Sequence, residues 1–427
     1  MTDKDIADLG PAFARWLAHF RGCFLHDGTA GHFGTYCRGL LSDLPRKTVE
    51  PIALAAGTTV RTLQVFLAGA SWDHRRVLGV LQGRVREAMA LLPPDPLGVV
   101  GVIDETSCVK KGDKTPGVRR QYLGCVGKTE NGVVTVHLAA CHGRFQAMLD
   151  ADLYLPKSWD DDRDRCAAAG IPDDIRYRPK WEIALGQLTG LILRGWRFDW
   201  LTFDEGYGSK VPFLTCLDSI GQRFVAEVPV NFSVAVGGLP FRADEVLTAQ
   251  DARRGRRFRF GRKTRENRWW RAAEVAVTAS GHAYRLVVAI DQATAEVKYF
   301  LTNAAAGVPL RQVLAAGFRR ATVEHGFRLC KQEAGLTHYE GRQYAGLMRH
   351  LALSLVVMGF VSIRTDRLRG EKSGGDDGAG VPGAEREVLG GPGADAGHGA
   401  GRARGRGDPL PPAPQRASDA VTQEASA

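Results

Sequence analysis

The stretch VVGVIDETSCVKKG, Val99–Gly112, decides how the chain is read. Apolar, mostly β-branched residues run straight into Asp104, and Lys110 and Lys111 follow a few positions later. Such residues suit a buried, pleated strand, so the stretch predicts a strand of the sheet centre with a carboxylate at its tip. About a hundred residues on, WLTFDEGYG ends the same way at Asp204. RQYLGCVG and GVVTVHLAA are further strand patterns, separated by polar, Gly-containing connections of the kind that join antiparallel strands, and WEIALGQLTGLILRGW reads as a helix.

The composition narrows the function. The chain has 427 residues, 44% hydrophobic, with a formal net charge of +10, which favours a polyanionic partner: nucleic acid or an anionic membrane surface. The segment LALSLVVMGFVSI falls short of the roughly 18 apolar residues of a membrane span and reads as a core helix, so no membrane partner is expected. The first residues carry acids and no signal-peptide pattern. Eight scattered cysteines form no CxxC pair, consistent with reduced thiols in a cytoplasmic protein.

Texture divides the chain into four parts. Residues 1–97 are helical by periodicity and end at LLPPDPLG. Within them VEPIALAAGTTVRTLQVFLAGASW suits either a helix-turn-helix, with Thr58 as cap and Arg61 and Gln64 on the second helix, or an ordinary helical hairpin. Residues 98–223 and 304–365 carry the two acidic strands and two further helices, about Leu310–Ala334 and Gln343–Val361. Residues 224–303 are β-rich and contain the basic stretch ARRGRRFRFGRKTRENRWWR, Ala252–Arg271. Residues 366–427, rich in Gly, Ala, Pro and Arg, cannot form a core and read as disordered. Acids outnumber bases in that tail, so the positive charge belongs to the rest.

A third piece joins the two aspartates. In GFRRATVEHGFRLCKQEAGLTHYEGRQ, a helix would put Arg320, Glu324, Phe327 and Lys331 on one face. A carboxylate between two cations is either a pair of surface ion pairs or a metal ligand flanked by phosphate contacts. Glu105 and Glu205 are second choices, because neighbours on a strand point to opposite faces.

Taken together, IDETSCVKKG with PGVRRQYLG, LYLPKSWDDD, DEGYG, and RATVEHGFRLCKQEAGL with EGR resemble, in order and spacing, the DDE transposases of bacterial insertion sequences, the DDE-superfamily endonuclease clade. The resemblance covers roughly residues 30–365. Gly317 stands where the wider group often carries a tyrosine. What the resemblance implies is an α/β fold class: a ribonuclease H-like mixed sheet with a β-rich insertion, preceded by a helical domain. Asp104, Asp204 and Glu324 would be the catalytic metal ligands for Mg2+ or Mn2+, as two ions. Three carboxylates without imidazole suit such hard cations.

The activity implied is metal-dependent strand cleavage at the element's terminal inverted repeats and strand transfer into target DNA, by a cytoplasmic, nucleoid-associated homodimer. A degenerate transposase that binds element ends without transposing is the alternative. Arg320 and Lys331 would contact phosphates, as would Lys110 and Lys111. Arg268, Trp269 and Trp270 would meet DNA through the basic stretch, one tryptophan stacking on a base.

Overall fold

The computed structural model describes residues 8–260 and 268–373. Gly261–Asn267, in the middle of the basic stretch, lie outside the described residues, as does the expected disordered tail from 374 on.

Among the described residues the α-helices α1 (Leu9–Ala18), α2 (Asp27–Leu41), α3 (Val49–Ala55), α4 (Val60–Ala68) and α5 (His74–Ala90) come first. The α3–α4 turn is capped by Thr59, whose hydroxyl accepts from Thr62 N at 3.1 Å, and not by the expected Thr58. Thr58 N is used to close α3 onto Ala53 O at 3.0 Å, which delays the start of α4 by one residue. Leu63, Phe66 and Leu67 bury one side of α4 and leave Arg61 and Gln64 exposed.

The sheet follows. Its strands are β1 (Val100–Val109), β2 (Arg119–Leu123), β3 (Lys128–His142), β4 (Phe145–Leu153), β5 (Trp200–Phe203), β6 (Phe224–Val228), β7 (Ser233–Val236), β8 (Leu239–Arg242), β9 (Arg256–Phe260), β10 (Arg268–Ala279), β11 (His282–Asp291) and β12 (Val297–Thr302). They lie in the order β2-β3-β1-β5-β6-β12-β11-β10-β7-β8, with β4 on β3 and β9 on β10. β1 and β2 each pair antiparallel with β3, while β1, β5 and β6 run parallel. The stretch read as an insertion therefore begins with β6, the parallel neighbour of β5, and its remaining strands prolong the same sheet.

Helices cover both faces. α6 (Lys180–Leu193) lies on the face of Glu105, to which Lys180 is bonded. α7 (Glu205–Gly208) follows the end of β5, and α8 (Val211–Ser219) packs beside α6, Phe213 lying 6.4 Å from Trp181 and 5.0 Å from Phe203. On the other side are α9 (Leu310–Phe318) and α10 (Arg320–Glu333), the last of which packs Phe327 edge-on against His137 at 4.9 Å. α9 and α10 replace the single helix expected over about 310–334. The break is at Arg319, whose N–H reaches back three residues to Ala316 O, and whose guanidinium donates to Gly143 O and pairs with Asp95.

Gly317 fits this packing. A Cβ there would stand 3.1 Å from Val225 and 3.3 Å from Phe300, so any larger side chain would have to push those side chains aside.

The last helix, α11 (Tyr344–Ser373), runs past 366, where the tail was expected to begin. Tyr344–Leu368 is long and apolar enough to cross a bilayer, but Leu347, Leu351, Leu355 and Val356 are buried against β4 and the N-terminal helices. Arg349 donates to Leu67 O at 2.8 Å and Ala70 O at 2.7 Å, and Trp16 Nε1 donates to Val356 O at 3.1 Å. His350 is enclosed between Tyr36, whose hydroxyl donates to Nδ1 at 2.9 Å, and Gly335 O, which accepts from Nε2 at 2.8 Å.

Candidate active site

Asp104 does not end its strand, as the sequence suggested. β3 is long enough to stay paired with β1 from Val100↔Cys141 to Val109↔Gly132, and Asp104 lies opposite His137 in that ladder. On its other edge β1 loses its neighbour early, because pairing with β5 stops at Val102↔Thr202. Asp104 thus sits in mid-strand, just beyond the end of β5. That position keeps its backbone rigid while opening its flank.

Asp204 occupies the matching place just past the end of β5, two residues beyond Thr202, so in register the two carboxylates stand at one level and on one face. It caps α7, with Oδ1 accepting from Tyr207 N at 3.3 Å. The glycine of the Asp-x-x-Tyr-Gly motif has a physical reason here. A Cβ on Gly208 would lie 2.0 Å from Glu227 O, so only glycine lets α7 sit against β6.

Glu324 projects from α10 and is more than half exposed. Arg320, one turn earlier, joins the acids: its Nη1 is 3.6 Å from Asp104 Oδ2 and 3.3 Å from Glu324 Oε1. Burial, then the charge of Asp204, pushes the Asp104 carboxyl up to about 7, against the opposing pull of Arg320. Arg320 is itself held charged by Asp104, Glu227, Glu324 and Asp204, in that order, against the desolvation that opposes them.

Lys331 lines the same cleft, of about 520 Å3, with Asp104, Arg320, Glu324 and Phe327. His137 beneath it is kept neutral, its pKa lowered to about 3 by burial and by the charge of Lys331.

The other expected contacts separate. Lys110 donates to Thr337 O at 3.1 Å and to Tyr339 O, which ties β1 to the loop after α10 and takes its ammonium away from the cleft. Lys111 is exposed. Arg268 pairs with Asp291 at 3.6 Å. Trp270 is buried against Phe318, with ring centroids 4.6 Å apart, and cannot stack on a base. Trp269, on the opposite side of β10, is 36% exposed and carries the Arg257 guanidinium 3.9 Å above its ring.

Two participants escaped the sequence reading. Glu227, a lone acid in the apolar run RFVAEVPV, lies 3.5 Å from Arg320 Nη2. The hydroxyl of Tyr207 is buried without a hydrogen-bond partner among the described residues, and close enough to Glu105, Asp204 and Asp104 for their charges to hold it protonated after burial has done so. An acid within an otherwise apolar strand was the available signal for the first.

The donors fit a hard divalent cation in kind, being carboxylate oxygens beside an unpartnered hydroxyl. Among the described residues no three His, Cys, Asp or Glu side chains converge closely enough to hold an ion, and Arg320 engages two of the acids.

A family model described as DDE superfamily endonuclease matches residues 19–292, a span that includes Asp104 and Asp204 and stops short of Glu324. The probable transposase for insertion sequence element IS701 of Microchaete diplosiphon is 29% identical over 310 residues, which cover 70% of this chain and 75% of that protein.

Proposed function

The chain belongs to the DDE superfamily endonuclease family, and from that premise we propose that it is an insertion-sequence transposase that binds the ends of its element, cuts them and joins them to target DNA. The observation that carries this reading is the placement of Asp104 and Asp204 beyond the paired residues Val102 and Thr202, with Glu324 linked to Asp104 through Arg320. The antiparallel β2-β3-β1 set followed by parallel β5 and β6 supports a ribonuclease H-like catalytic core.

Asp104, Asp204 and Glu324 would hold Mg2+ or Mn2+. When bound there, such ions would supply Lewis acidity for an in-line displacement at phosphorus by water or a 3'-hydroxyl.

The protein's own groups supply position. β1 and β5 fix two carboxylates on rigid backbone, Arg320 and Lys331 hold the phosphates beside the scissile bond, and Tyr207 offers a buried donor to the carboxylates. The β9–β10 hairpin, with Arg256, Arg257 and Trp269, gives a basic and aromatic surface for the element end. The exposed Arg61 and Gln64 of α4 give a second surface, of helix-turn-helix type. Action in the cytoplasm, at the nucleoid and as a homodimer on paired ends, completes the reading.

The test is cleavage of DNA carrying the element's terminal inverted repeats in the presence of Mg2+. The wild type nicks at the element boundary, and Asp104→Asn, Asp204→Asn and Glu324→Gln do not. Undiminished nicking by any of the three removes that residue from the site.

A further inference from the structure

Glu227 belongs to none of the sequence motifs, yet it stands in the middle of a chain of alternating charges. Its Oε1 is 2.6 Å from Lys298 Nζ on β12, and its Oε2 is 3.5 Å from Arg320 Nη2. Arg320 Nη1 in turn faces Asp104 at 3.6 Å and Glu324 at 3.3 Å. Side-chain exposure is 19% for Lys298, 18% for Glu227, 21% for Arg320 and 12% for Asp104. Water screens the pairs among these four less than it screens surface ion pairs, while Glu324, 59% exposed, is the solvent-facing end of the series.

A guanidinium is a flat, rigid fork. Bidentate pairs with a carboxylate close to about 2.7–2.9 Å, but every contact of Arg320 with Asp104, Glu324 and Glu227 is longer. Arg320 is therefore suspended between acids on its two sides. If Glu227 were absent, nothing would oppose the pull of Asp104 and Glu324, and the fork would close onto both. The same two carboxylates are the ones a divalent cation needs, so a closed fork would compete with the ion.

We propose that Glu227 is a positioning residue: anchored by Lys298, it draws Arg320 back from Asp104 and Glu324 and keeps those carboxylates available to a divalent cation. The inference rests on the reading of Asp104 as part of a cation site. It also ties that site to the sheet extension, since Lys298 lies on β12, which is bonded to β6 on one side and β11 on the other.

The experiment is a double-mutant cycle read by Mn2+ binding, followed by electron paramagnetic resonance on the full chain without DNA. Glu227→Gln should weaken binding about tenfold in the wild-type background and less than about twofold in an Arg320→Met background, where the competing fork is gone. Lys298→Met, which leaves Glu227 in place but unanchored, should act in the same direction, and its effect should likewise vanish with Arg320→Met; it carries the test if Glu227→Gln fails to fold.

Equal losses in both backgrounds would mean that Glu227 acts only through its charge, and would overturn the proposal, as would a silent Glu227→Gln. Asp104→Asn separates the two readings. If it abolishes Mn2+ binding while Glu227→Gln is silent, only the role of Glu227 falls. If it binds as the wild type does, the cation site itself is misassigned and the role of Glu227 falls with it.

Discussion

Asp104 and Asp204 stand two residues beyond a hydrogen-bonded pair of parallel strands, Val102 and Thr202, and so share one face at one level. Glu105, next in the chain, points to the other face and is paired with Lys180 at 2.6 Å. Glu105→Gln should therefore leave DNA nicking within about threefold of wild type, whereas Asp104→Asn should lower it by about 10²–10³, the usual cost of one preorganised electrostatic group. Single-turnover nicking in Mg2+ compares them, and equal losses would refute the assignment by face.

Lys331 and Lys110 should differ in salt dependence. Lys331 faces the cleft, whereas the ammonium of Lys110 is bonded to two carbonyls. Lys331→Ala is expected to reduce the slope of log K against log salt by about one, and Lys110→Met to leave it unchanged. Binding to end DNA at several salt concentrations distinguishes them.

The adjacent tryptophans should part in the same way. Trp270→Ala removes a buried ring and should cost about 3–5 kcal/mol of stability, measured by denaturant unfolding. Trp269→Ala should leave unfolding nearly unchanged and weaken binding to end DNA, with the loss of any fluorescence change from 2-aminopurine placed at the element end.

Gly208→Ala tests the contact of α7 with β6. The added carbon would lie 2.0 Å from Glu227 O, a backbone atom that cannot turn aside. A destabilisation of about 1–3 kcal/mol is expected, with a lower melting temperature. A neutral substitution would show that α7 moves freely relative to β6.

His350 sets an acid limit. Its pKa is lowered to about 4 by burial, partly offset by its bond to Gly335 O, whereas the unfolded chain titrates near 6.5. Between those values the unfolded state binds more protons, so the stability owed to the neutral imidazole is complete above pH 6.5 and is lost as pH falls toward 4, by about 1.4 kcal/mol per pH unit at most. His350→Gln can keep both hydrogen bonds without titrating. Its melting temperature should fall less steeply than that of the wild type between pH 7 and 5, and parallel curves would contradict the assignment.

The sequence made the strands, the motifs and their common face on α10 legible, because periodicity and spacing are local. It misled on Asp104, because where a strand appears to end depends on its neighbours: β3 continues and β5 stops. The break at Arg319 was hidden for a similar reason, since the anchors Gly143 and Asp95 are far away in the chain. Trp269 and Trp270 had to face opposite ways, but which one faced the core was decided by Phe318. Glu227 was passed over as one acid in an apolar strand, and only its neighbours Lys298 and Arg320 give it meaning.

The bonds from α11 to the first helices also carry a consequence for how the protein comes into being. Arg349 reaches Leu67 across 282 positions of chain, and Trp16 reaches Val356 across 340. During synthesis Leu67 and Trp16 leave the ribosome 282 and 340 residues before the α11 residues that they bond. A nascent chain interrupted before α11 therefore lacks the helix against which these first helices bury part of their apolar surface, and limited proteolysis of a chain truncated before Tyr344 should find them more readily cut than in the full chain.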